Sequence, residues 1–191
     1  MTEREPASPL LDRVFTDRWS PRAFSDRPVA EDELAAVFEA ARWAPSWLNN
    51  QPWLFYYETD GPDRDAILDT FMAFNRGWAA KAPVVGLTLA RTELEGFMAR
   101  TRDFDTGAAM MALSMQATML GLSTHLLGGI EVEAAHALTG TDPADTIVLC
   151  GFVLGHRGDA SQLEDKLQQR EHPSDRKPVS AFTFKGGRPR P

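Results

Sequence analysis

Arg18-Trp19-Ser20-Pro21-Arg22 and Ala44-Pro45-Ser46-Trp47-Leu48-Asn49-Asn50-Gln51-Pro52-Trp53 are two halves of one ligand-binding pattern. Alternate side chains of an extended segment share a face, so Arg18, Ser20 and Arg22 direct two guanidinium forks and a hydroxyl the same way. That set suits a phosphate monoester. The second stretch is a loop ordered by Pro45 and Pro52, and it offers Ser46, Asn49 and Gln51, neutral donors and acceptors fit for the polar edge of a planar heterocycle. A phosphate at one end and a ring at the other describe FMN.

The residues around these stretches read as alternating helices and strands. Val29 to Arg42 places Leu34, Val37, Phe38 and Ala41 at helical spacing behind an acidic first turn, Glu31-Asp32-Glu33, so an amphipathic helix leads into the loop. Pro45 stops it. Trp53 to Tyr57 is an aromatic-rich strand closed by Asp60-Gly61-Pro62. Asp63 to Asn75 predicts a second helix, with Ile67, Leu68, Phe71 and Phe74 on one side, and Val84 to Ala90 a central strand. The low-charge run Thr106 to Leu122 approaches the length of a membrane span but contains Ser114, Gln116 and Thr118, so it predicts a helix buried on nearly all sides. A strand at Ser123 to Leu127, a helix at Val132 to Leu138 and a strong strand at Thr146 to Leu154 follow. A polar helix over Ser161 to Arg170 and a final strand, Val179 to Phe184, complete the pattern. This is α/β or α+β architecture in one domain over residues 1–191.

Both opening motifs resemble those of the nitroreductase family of FMN-dependent oxidoreductases. Trp78 to Val85, the Gly128-Gly129-Ile130 turn and Asp175-Arg176-Lys177-Pro178 are similar to further family elements in the same order. The resemblance implies an α+β fold with a central mixed sheet flanked by helices, and an intertwined homodimer with the Thr106 to Leu122 helix at its centre and flavin sites drawing on both subunits. It also implies that Arg18 and Arg22 clamp the FMN phosphate beside Trp19 and Ser20, with Arg176 returning to assist. Ser46, Asn49 and Gln51 then serve the ring or ribityl chain, and Gly128-Gly129 lets backbone amides approach the ring closely. Trp47 departs from the family, where a small polar residue is common.

The implied activity is hydride transfer from NADH or NADPH through FMN to a small acceptor, by a ping-pong mechanism. Nitroaromatics, quinones, enals and free flavins all fit as acceptors. Two alternatives stand beside it: a relative that dehalogenates reductively or consumes the flavin itself, and a module that holds FMN without turnover.

Composition is that of an ordinary globular chain, 43% hydrophobic and 25% charged over 191 residues. The net charge of −7 is uneven, because the basic residues Arg170, Arg176, Lys177, Lys185, Arg188 and Arg190 crowd the end. The acidic body argues against nucleic acid as a partner. Cys150 lies in an apolar run and is expected in the core, and His125, His136, His156 and His172 are too scattered for a metal site. G-x-G-x-x-G, P-loop, H-E-x-x-H and G-x-S-x-G motifs are absent, which agrees with the FMN that the resemblance implies supplying the chemistry in place of a protein nucleophile. Met1 to Pro9 lacks a signal-peptide core, so the expected compartment is the cytoplasm. Phe71, Phe74, Phe97 and Phe104 are either walls of an open acceptor slot or core residues. Arg91 to Phe104 is either a surface helix or a mobile cover. On the plainest reading Arg18 and Arg22, with Arg13 and Arg27, form salt bridges to Asp12, Asp17 and Asp26.

Overall fold

Four strands carry the fold: β1 (Trp53–Glu58), β2 (Val84–Arg91), β3 (Ser123–Leu127) and β4 (Thr146–Gly155), arranged in the order β1-β2-β4-β3. The computed structural model describes Arg4, Pro6 and residues 8–92 and 101–187. The α+β class is as expected. The sheet differs from the mixed one expected, because all three pairings among the described residues are antiparallel.

Central β2 is buried from Val84 to Ala90, which explains its unbroken apolar sequence. Its side chains alternate between two cores, as the period of two requires. Val85, Leu87 and Leu89 face α3 (Gly61–Asp69) and α4 (Ala73–Ala79), while Val84 faces α2 (Glu31–Arg42) and α5 (Arg102–Met119). The sheet is therefore sandwiched between helical layers. Gly86 is required in β2, since a Cβ there would sit 2.3 Å from the ring of Phe152 and 2.6 Å from the Tyr56 carbonyl.

Three expected helices differ from the sequence reading. The one over Asp63 to Asn75 is split into α3 and α4. Thr70 and Met72 turn their backbone groups to the 129–131 segment, with Glu131 N–H donating to Thr70 O at 2.7 Å and Met72 N–H to Gly129 O at 3.0 Å, and Phe71 bridges Ile130. Long-range pairing has replaced helical bonds. The helix over Ser161 to Arg170 is broken at Leu163, which is extended and buried; a 3₁₀ turn at Ala160–Gln162 and the single turn of α7 (Asp165–Gln168) flank it. α5 is buried on one face only, through residues such as Ala109, Met110, Leu113 and Ala117, while Phe104 is 77% and Met119 63% exposed on the other. No helix of the described residues is long and apolar enough to cross a membrane.

The expected final strand is also absent. Val179–Ala181 is a 3₁₀ turn, and Val179, Phe182 and Phe184 are exposed. A strand needs an edge to pair with, and no such pairing forms here among the described residues. α1 (Val14–Asp17) and α6 (Val132–Thr139) complete the elements, α6 closing on Gly140 in the left-handed conformation with φ 64°.

Candidate anion and flavin site

α1 ends at Arg18, whose backbone is extended, and the chain then runs into the buried residues Pro21, Ala23 and Phe24. Phe24 is fixed by a bridge to Arg157, and Ala23 by the amide of Gly158, which donates to its carbonyl at 2.8 Å. Arg18, Trp19, Ser20 and Arg22 thus border one cavity of about 310 Å³. The C-terminal segment brings Arg170, His172 and Arg176 to the same cavity, while β3 adds His125 and the N-terminus adds Arg4.

The cavity is strongly cationic. Among the described residues, the guanidinium groups of Arg18, Arg22 and Arg170 make no hydrogen bond or salt bridge. The pairing with Asp12, Asp17 and Asp26 that would make Arg18 and Arg22 a solvated face is not formed; Arg13 instead approaches Asp17 at 4.0 Å. Burial, then the nearby Arg176, pulls Arg18 below the usual guanidinium range. Burial and Arg170 do the same to Arg22, with Glu171 opposing. Repelling cations in a half-buried pocket are what an anion would relieve. Arg22 also lies over the Trp78 ring at 6.0 Å, and Trp78 packs on His125 at 4.7 Å.

His125 is buried, with Nδ1 bonded to the Pro21 carbonyl at 2.8 Å. Burial holds its pKa down to about 4, against the help of that hydrogen bond, with Arg22 and Arg18 adding to the depression. It is a neutral imidazole at pH 7. Arg4 spans the two chain ends, donating to the carbonyls of Arg18 at 2.9 Å, Thr16 at 3.2 Å and Ser174 at 3.0 Å. Arg176 folds back on the carbonyls of Ser174 and Asp175.

The Ala44 to Trp53 loop is a separate structure. Leu48, Asn49 and Gln51 have φ of 48°, 58° and 45°, a strained backbone that non-glycine residues adopt rarely and chiefly at functional sites. Internal bonds hold it. The Ser46 hydroxyl accepts the Gln51 amide at 3.0 Å, Gln51 Nε2 donates to Asn49 Oδ1 at 3.1 Å, and the Trp47 amide donates to Asp105 of α5 at 3.0 Å. Asn49 is exposed.

The Gly128-Gly129 turn divides in role. A Cβ on Gly129 would meet the side-chain tips Phe74 Cζ at 2.7 Å and Asn75 Nδ2 at 2.8 Å and would displace them, whereas a Cβ on Gly128 would meet nothing within 4 Å. Phe74, Asn75 and Trp78 line a cleft of about 950 Å³ that shares Arg22 and Arg170 with the arginine cavity. Of the four phenylalanines, Phe71 is in the core, Phe74 lines this cleft and Phe104 is exposed. Phe97, with most of the Arg91 to Phe104 segment, lies outside the described residues.

Ser46, Asn49, Gln51, Gly128 and Gly129 do not line the arginine cavity. Trp53, at the end of the loop, stands on the β1 edge level with Ile147 of β4, while His125 stands on the β3 edge level with Val153. Three strand spacings, about 14 Å, and six residues of β4, about 20 Å, separate them. Arg170, His125 and Asn75 were missed by sequence reasoning. Each enters the site singly, and only the basic composition of the C-terminal segment hinted at Arg170.

Cys150 is half-buried, not enclosed. It borders an apolar cavity of about 290 Å³ with Met110, Leu126 and Leu149, beside a bulge where Thr88 pairs with Cys150 and Leu89 with Val148. Burial pushes its thiol above the usual range.

A model of the nitroreductase family matches residues 15–85. The FMN reductase [NAD(P)H] of Bacillus subtilis (strain 168) is 27% identical over 175 residues, covering 82% of this chain and 70% of its own. A crystal structure of an oxidoreductase containing FMN superposes with a TM-score of 0.90 at 36% identity, over 96% of this chain and 95% of the other. The FMN and NADPH-dependent nitroreductase NfnB from Sphigopyxis sp. strain HMH shares the fold, with a TM-score of 0.74 at 19% identity over 92% of this chain and 98% of its own.

Proposed function

Because the chain belongs to the nitroreductase family, we propose that it is an FMN-dependent NAD(P)H oxidoreductase acting on a small electron acceptor. One observation carries the proposal: three half-buried or flanking guanidinium groups, Arg18, Arg22 and Arg170, converge on one cavity without a hydrogen-bond or ion-pair partner among the described residues. A phosphate monoester supplies the missing acceptors and the missing negative charge. FMN, when bound, supplies the hydride chemistry between nicotinamide and acceptor, and the protein supplies position and electrostatics.

In this reading Arg18 and Arg22 clamp the phosphate, Arg170 and Arg176 neutralise it, and Ser20 donates beside Trp19. The cleft that continues from Arg22 and Arg170 past Trp78 to Asn75 receives the rest of the ligand, and open Gly128 admits close approach of a flat ring. Asn49 and Gln51 sit too far round the sheet to reach a ligand seated at the arginine cavity of the same chain, so a second copy provides them and the protein works as a homodimer. The exposed apolar face of α5, with Phe104, Met111 and Met119, supports such a contact. The acceptor, a nitroaromatic, quinone or enal, and the nicotinamide cofactor use one slot in turn, which is ping-pong order.

The test is optical. Protein reconstituted with FMN should be yellow, and NADH or NADPH should bleach it under anaerobic conditions. A protein that takes up no FMN refutes the flavin site, and one that stays yellow with either nicotinamide is a holding module and not a reductase.

A further inference from the structure

Behind the arginine cavity, one carboxylate joins the two ends of the chain. Glu171 Oε1 accepts the backbone N–H of Arg22 at 2.7 Å and of Ala23 at 2.8 Å. Its second oxygen is buried with no partner among the described residues. Burying an unpaired carboxylate oxygen is costly, and two amides need only a neutral carbonyl for satisfaction. The carboxylate also lies close enough to Arg22 to oppose the effect of burial and of Arg170 on that guanidinium, so it offsets part of the repulsion among the cations.

Position in the chain adds a second consequence. Glu171 directly follows Arg170, so the residue that pins the Arg22 backbone also anchors its neighbour Arg170 beside it. Both arginines border the cavity and the cleft beyond it. We propose that Glu171 is a positioning residue for the anion cradle, holding Arg22 and Arg170 on one ligand by fixing the Arg22 and Ala23 amides. Glu171 does not touch the ligand. The inference rests on the cavity being the phosphate site.

The experiment compares dissociation constants of FMN and riboflavin, by flavin fluorescence, for the unaltered protein, Glu171→Ala, Glu171→Gln, Arg22→Ala and the Arg22→Ala/Glu171→Ala double variant. Glu171→Ala should weaken FMN by about 10-fold or more and riboflavin by less than about 2-fold, a contrast that a purely structural role would not produce. Glu171→Gln keeps an acceptor for the amides and should fall between; it also carries the test if the alanine variant does not fold. The double variant should bind FMN more weakly than Arg22→Ala by clearly less than the full factor that Glu171→Ala costs alone, since Glu171 acts partly through Arg22 and partly through its neighbour Arg170. Equal weakening of both ligands, or fully additive losses in the double variant, would overturn the inference while leaving the phosphate site intact. Equal affinity of the unaltered protein for FMN and riboflavin would overturn the phosphate site and this inference with it.

Discussion

Acidification should destabilise the ligand-free protein through His125. The side chain is buried beside Arg22, and its pKa is about 4 in the fold against about 6.5 in an unfolded chain. Between those two values the unfolded state binds the extra proton, so stability is complete above pH 6.5 and falls as pH drops toward 4. The full gap corresponds to about 3 kcal/mol, of which about 2 kcal/mol is lost by pH 5. Urea unfolding at constant ionic strength, at pH 7.5 and pH 5, measures the loss, and His125→Asn isolates the contribution because it cannot titrate. The substituted protein should show a pH dependence smaller by about 2 kcal/mol over that interval. A bound phosphate favours the protonated ring and should shrink the loss in FMN-loaded protein. If the unaltered and His125→Asn proteins lose stability in parallel, the imidazole is not held neutral by this environment and the description of the cavity fails.

Other substitutions separate binding from packing and from chemistry. Arg22→Ala should cost about 1.5 to 3 kcal/mol of FMN binding, roughly 10-fold to 150-fold, and leave riboflavin nearly unchanged on titration. Gly129→Ala should lower the melting temperature, since its Cβ meets the ends of Phe74 and Asn75, whereas Gly128→Ala should melt normally and weaken flavin binding; the reverse order of effects would refute the assignment. Cys150→Ser should retain most NAD(P)H-dependent turnover, because its thiol is held protonated by burial; loss of turnover without loss of fold would give the thiol a chemical role. Initial rates with both substrates varied should give parallel double-reciprocal lines, and intersecting lines would replace the shared slot with a ternary complex.

Elements whose sequence signal is local were legible. The helix α2 shows its buried Leu34, Val37 and Ala41 at helical spacing, and β2 and β4 announce themselves as apolar runs. Elements decided by distant partners were not. Phe71 fits a helical stripe, yet its backbone pairs with Ile130, and Leu163 breaks a polar helix because the core takes its side chain. Val179 to Phe184 has strand-forming residues but pairs with no strand among the described residues. The Thr106 to Leu122 run reads as buried all round because residues such as Met111 and Met119 are apolar, although a single chain covers only the opposite face of α5. The site divides in the same way: Arg18, Ser20 and Arg22 form a spaced motif, while His125, Arg170 and Glu171 reach it one at a time from β3 and the C-terminal segment.

A crystal structure of the FMN-loaded protein bears most directly on the central claim, that the arginine cavity is the phosphate seat of a flavin site. The phosphate should lie within hydrogen-bonding distance of Arg18 and Arg22, with Arg170 and Arg176 around it, and Asn49 of the partner subunit should face the flavin. A phosphate bound elsewhere, with Arg18, Arg22 and Arg170 still without an anion, would contradict it.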